Sequence, residues 1–115
     1  MTDLSKREKK IARDAIEKGV LAEFKVSLEE TEAIIKEWRN GQLDNRQAYY
    51  KVFKAIMKQD KHIAQRYDDM RGSRYLLTVA AILYDGYITE GDIKDFSEEA
   101  KEQVSRWIQF WKSNE

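Results

Sequence analysis

Between Tyr75 and Tyr84 the chain runs for ten residues without a charge, its only polar interruption before the closing tyrosine being Thr78. A membrane span takes ~20 apolar residues, so the stretch is too short to be one and reads as a helix buried on almost every side. Such a helix has to sit among other helices, and the remaining sequence supplies them. There is no proline, the five glycines fall near places where a helical pattern needs a break, and apolar residues recur at spacings of three and four instead of alternating. The expected fold is all-α: a compact irregular bundle of four to five helices around a central apolar helix at about 74–85, forming one domain over residues 1–115.

Start and stop signals set the expected elements. Ser5-Lys6-Arg7-Glu8 and Asp44-Asn45-Arg46-Gln47 have the form of capping boxes, opening a long first helix over about 5–39 and a second over 45–71. Asn40-Gly41 closes the first, because both residues accept the left-handed conformation that ends a helix. Gly72-Ser73 and Asp85-Gly86 bracket the apolar helix. Thr89 with Asp92 caps a short helix at 90–95, Ile88 and Ile93 forming its hydrophobic staple, and Ser97 caps a last helix at 98–112. Leu4, Ile11 and Ala15 share one side of the first helix, whereas Ile16, Val20, Phe24, Leu28, Thr31, Ile35 and Trp38 drift to the opposite side, with Gly19 at the changeover. The pattern leaves open a continuous helix with partners on two faces or a kink near Gly19. On the second helix Tyr49, Val52, Phe53, Ile56 and Met57, continued by Ile63, Ala64, Tyr67 and Met70, make the expected inward face.

Composition removes several classes of function. Lysine plus arginine and aspartate plus glutamate are equal at 21 each, so no strongly positive field captures nucleic acid. Residues 46–75 are nevertheless about +5 and residues 76–104 about −5, an asymmetry most simply met by packing the two side by side. With no cysteine there is no disulfide, thiol nucleophile or zinc–cysteine site. The charged start, MTDLSKREKKIARD, has no secretory pattern. A cytoplasmic setting, no membrane, no metal and no cofactor are the expectations. Asp85-Gly86-Tyr87-Ile88 places glycine and isoleucine as a calcium loop does, but Ala81 and Leu83 would then fill its first and third ligand positions. His62 is the only histidine, too little for a histidine metal centre or a serine–histidine pair of ordinary design.

The candidate site is Asp60, Arg66, Arg71, Ser73 and Arg74. Asp60 falls in the middle of the apolar face of the second helix, where a buried carboxylate needs a cation, donors or a proton; Arg71 and Arg74 are the candidate partners. Ser73 at a helix start flanked by arginines suits a phosphate or carboxylate, although Arg-Gly-Ser-Arg lacks the glycine spacing and lysine of a phosphate loop. Fold-building signals far outnumber catalytic ones, so the leading expectation is a non-catalytic interaction or regulatory module with a protein partner or a second copy of itself. Small-anion or nucleic-acid phosphate binding through Arg66, Arg71 and Arg74 is the alternative, and an enzyme using a buried Asp60 as acid or base is the third reading.

Overall fold

The structure, a computed structural model, describes residues 4–68, 71 and 74–115. It is all-α, with α1 at Lys6–Arg39, α2 at Asn45–Tyr67, α3 at Tyr75–Tyr84, α4 at Glu98–Ser113, a 3-10 turn at Glu90–Ile93 and no strand among the described residues. Among those residues no helix is long and apolar enough to cross a membrane.

The capping residues behave as their chemistry requires. Glu8 N–H donates to Ser5 Oγ at 3.1 Å and Ser5 N–H to Glu8 Oε1 at 3.4 Å. Gln47 N–H donates to Asp44 Oδ1 at 2.8 Å and Asp44 N–H to Gln47 Oε1 at 2.9 Å. Gly41 and Gly86, at φ 79° and 83°, close α1 and α3 in the same way: Gln42 N–H reaches back to the Glu37 carbonyl and Tyr87 N–H to that of Ile82, each at 2.9 Å, the long bond of a Schellman motif. Some boundaries differ from expectation. α2 stops at Tyr67 and not at 71, the short helix is a 3-10 turn ending at Ile93 and not a helix to 95, and the break expected at Gly72-Ser73 lies outside the described residues. α1 is helical without interruption through Gly19.

The chain divides into two compact units, Met1–Val20 with Asp69–Glu115, and Leu21–Asp68. α1 contributes to both, and the boundary falls beside Gly19, where its apolar pattern changes face. In the first unit α3 is the core element expected: Leu76, Val79, Ala80 and Ile82 are buried, α4 packs on it with Ala100 and Val104 buried, and Ile88, Ile93 and Phe96 join them. Ala12, Ala15 and Gly19 are the buried positions of α1 in this unit.

Polar contacts tie the same unit together. Glu8, besides capping α1, accepts the backbone N–H of Ser97 at 3.0 Å and so also serves the start of α4. That donated bond holds the Glu8 carboxyl below its ordinary range against the opposing effect of burial. Asp92 is lowered in the same manner, first by the Thr89 N–H at 2.8 Å, with Lys18 Nζ at 2.9 Å reinforcing it. Both groups are more acidic folded than unfolded. Their stabilisation is therefore present above the unfolded-state pKa and disappears as pH falls through the folded one. An acid titration followed by circular dichroism should show stability declining below about pH 4, and Glu8→Gln combined with Asp92→Asn should flatten that limb. An unchanged limb in the double variant would mean these bonds contribute nothing.

Candidate functional site

Leu21–Asp68 is a helical hairpin made of α1 residues 21–39 and α2. The sequence makes Phe24, Leu28, Ile35 and Trp38 the apolar stripe of α1 here and Tyr49, Phe53, Ile56 and Met57 part of the inward face of α2, but the packing is different. The positions α1 buries here are Glu23, Ser27 and Ile34, while Phe24, Leu28, Ile35 and Trp38 are exposed; α2 buries Ala48 and Ile63, while Tyr49, Phe53, Ile56 and Met57 are exposed. The contact seam lies about a quarter-turn away from each apolar stripe. Polar side chains bridge the two helices along the hairpin: Lys51 Nζ reaches Glu37 at 3.0 Å, Gln59 donates to Glu30 at 3.4 Å, and a cluster forms around Glu23. The basic α2 thus takes acidic partners from α1 within its own unit.

Glu23 is the group that the sequence reading misses. Its side chain is 1% exposed. Oε1 accepts from Arg66 Nη1 at 3.2 Å and lies 2.9 Å from His62 Nε2, which needs its proton on that nitrogen. Oε2 accepts the Tyr67 hydroxyl at 2.5 Å. Burial, with the adjacent Glu23 charge, pushes the Tyr67 phenol well above its ordinary range, so Tyr67 acts as a donor and not as a base. A carboxylate saturated by these donors is chemically quiet and holds the open end of the hairpin together. One signal was available: Ala15, Gly19, Glu23 and Ser27 recur every four residues, a line of mostly small side chains along which helices can approach closely, and Glu23 is its one long member.

The apolar side of the hairpin forms a groove of about 470 Å³ whose walls include Ile35 and Trp38 from α1 and Tyr49, Phe53 and Ile56 from α2. Both stripes therefore face the same side. Tyr49 is 67% exposed, Phe53 52% and Trp38 38%. Trp38 is nonetheless fixed: its indole N–H donates to Asn45 Oδ1 at 2.8 Å and the Arg39 guanidinium lies 5.2 Å over its ring. Tyr49 and Tyr50 sit edge to face, their centroids 5.5 Å apart.

The expected site residues fare unequally. Asp60 is exposed on α2, which corrects its expected burial; it does lie in the apolar stripe, but the stretch of that stripe before it, Tyr49, Phe53, Ile56 and Met57, is itself exposed. Arg66 is engaged with Glu23. Arg71 and Arg74 are exposed, in the other unit, with Arg74 N–H donating to the Arg71 carbonyl at 2.8 Å before α3. Ser73 lies outside the described residues. Among the described residues no three metal-ligating side chains gather. Comparison with known protein families, with curated proteins and with solved structures returns no match.

Proposed function

We propose that this chain is a non-catalytic interaction module that docks through the apolar side of its α1–α2 hairpin, in a cytoplasmic setting that suits its lack of cysteine. The observation that carries this reading is the concentration of exposed Trp38, Tyr49 and Phe53 around one groove. Contiguous apolar surface of this kind is costly to leave in water and marks contact sites, and aromatic anchors supply most binding energy where contacts form. Trp38, already held by Asn45 and Arg39, loses little rotamer freedom on binding. Phosphate binding is less well supported, because Glu23 already occupies Arg66. Acid–base catalysis loses the burial of Asp60 on which it rested.

Replacing Tyr49 with a photo-crosslinking residue should give adducts of discrete mass on irradiation in the host cell, whereas the same residue at exposed Asp14, in the other unit, should give none. Equal labelling at both positions, or none at Tyr49, would remove the reading.

A further inference from the structure

We propose that the occupant of this groove is a second copy of the chain, the two hairpins forming a four-helix bundle in which α1 residues 21–39 of each copy lie along α2 of the other. The proposal rests on the docking reading above and adds the partner and its register.

The spacing of the uncovered stripes is the first ground. Leu21, Phe24, Leu28, Thr31, Ile35 and Trp38 follow one another at three, four, three, four and three residues, which is the a/d repeat of a helix seam that receives another helix. On α2 Tyr49, Phe53, Ile56 and Asp60 are exposed and follow the same repeat, which runs on into Ile63 and Tyr67 inside the hairpin. A globular ligand has no need of such periodicity along two helices; a pair of partner helices does. Size is the second ground. Eight large side chains of these stripes, each roughly half uncovered, at about 200 Å² apiece, offer on the order of 800 Å² per copy, the area each partner contributes to a standard stable interface.

Charge selects both partner and arrangement. The unit Leu21–Asp68 carries nine basic and eight acidic residues, so two copies meet with almost no net repulsion. Inside it, α2 has six basic residues against Asp60 alone, whereas α1 residues 21–39 have five acidic against three basic. Laying α2 on α2 would oppose like charges, while laying α1 on α2 of the partner pairs unlike ones.

Asp60 then acquires a role. Each seam has one polar member near its middle, Thr31 on α1 and Asp60 on α2. The Gln59 to Glu30 bond at 3.4 Å places their immediate sequence neighbours side by side, so Thr31 and Asp60 stand at one level of the hairpin. Related by a two-fold axis through that level, Asp60 of one copy meets Thr31 of the other, and both hydroxyl–carboxylate pairs form together as each Thr31 hydroxyl turns from the Ser27 carbonyl that it donates to at 3.0 Å in the single chain. A single polar position inside an apolar seam fixes register and oligomeric state at a cost in affinity.

Sedimentation equilibrium of the full chain tests this directly. The expected mass is twice 13.6 kDa, returning to the single value in Phe53→Glu and in Tyr49→Lys with helicity by circular dichroism unchanged, since both side chains are already exposed. Asp60→Leu should tighten the dimer by about tenfold or drive it to larger assemblies. A wild-type protein that remains a monomer at concentrations on the order of 100 μM overturns self-association, and indifference of a dimer to Asp60→Leu overturns the register. Crosslinking at Tyr49 separates this failure from failure of the docking reading: an adduct with a different protein preserves docking and rejects the second copy, and no adduct rejects both.

Discussion

Glu23→Ala should destabilise the hairpin by about 3–5 kcal/mol, the usual consequence of removing one partner from a buried ion pair. Tyr67 would keep its inward position without the acceptor it donates to at 2.5 Å, and a buried donor without an acceptor costs more than the bond itself contributes. Glu23→Gln should cost less, because the amide oxygen can still accept from the Tyr67 hydroxyl while the charge opposite Arg66 is lost. Urea unfolding gives the magnitude, and amide exchange gives the location: protection should fall across Leu21–Asp68 first. The pH dependence supplies an independent check. Tyr67 is less acidic folded than unfolded, so its contribution is complete below the ordinary phenol value of about 10 and declines as pH rises from there toward the folded value. Tyr67→Phe should remove that alkaline decline. If Glu23→Ala unfolds with wild-type urea dependence, the cluster is an ornament of the fold and the hairpin is held by its other contacts, Ile34, Ala48 and Ile63 among them.

The elements that could be read from sequence are those whose signals are local. A cap needs a side-chain oxygen within three residues of the N–H it accepts, so Ser5, Asp44 and Ser97 announce their helices from a few adjacent letters, as Gly41 and Gly86 announce the ends of α1 and α3. The burial of α3 was legible because a helix with no polar side has only one place to go. The hairpin was not legible because its outcome depends on a competition between two faces. On α1 residues 21–39 the apolar face and the face with Glu23 and Ser27 lie about a quarter-turn apart, and hydropathy alone chooses the apolar one. The complementary donors on α2, Arg66 and Tyr67 above all, tip the choice the other way, and nothing in a single helix's pattern shows that they are within reach. Asp60 illustrates the same point from the opposite direction: its place in the apolar stripe was read correctly, and its burial was inferred from the assumption that every apolar stripe is covered by its own chain.

That distinction between a stripe that is apolar and one that is covered predicts opposite results for two substitutions of similar chemistry. Ile82, 0% exposed in the last turn of α3, should cost about 2–5 kcal/mol on replacement by alanine, through lost transfer energy and the cavity that close-packed neighbours cannot collapse to fill. Phe53, a larger side chain and 52% exposed, should change unfolding free energy by only about 0.5 kcal/mol on the same replacement when the chain is dilute enough to be monomeric. Raising protein concentration should leave the Ile82→Ala deficit as it was, because that cavity belongs to the folded chain itself. The Phe53→Ala deficit should grow, because the proposed association would stabilise the wild type by mass action and the variant would no longer share in it. Urea midpoints measured for both variants at low and high concentration therefore distinguish a residue that builds the fold from one that the fold holds out for a partner. A large, concentration-independent loss at Phe53 would instead place that side chain among the residues that build the fold and remove the proposed docking face.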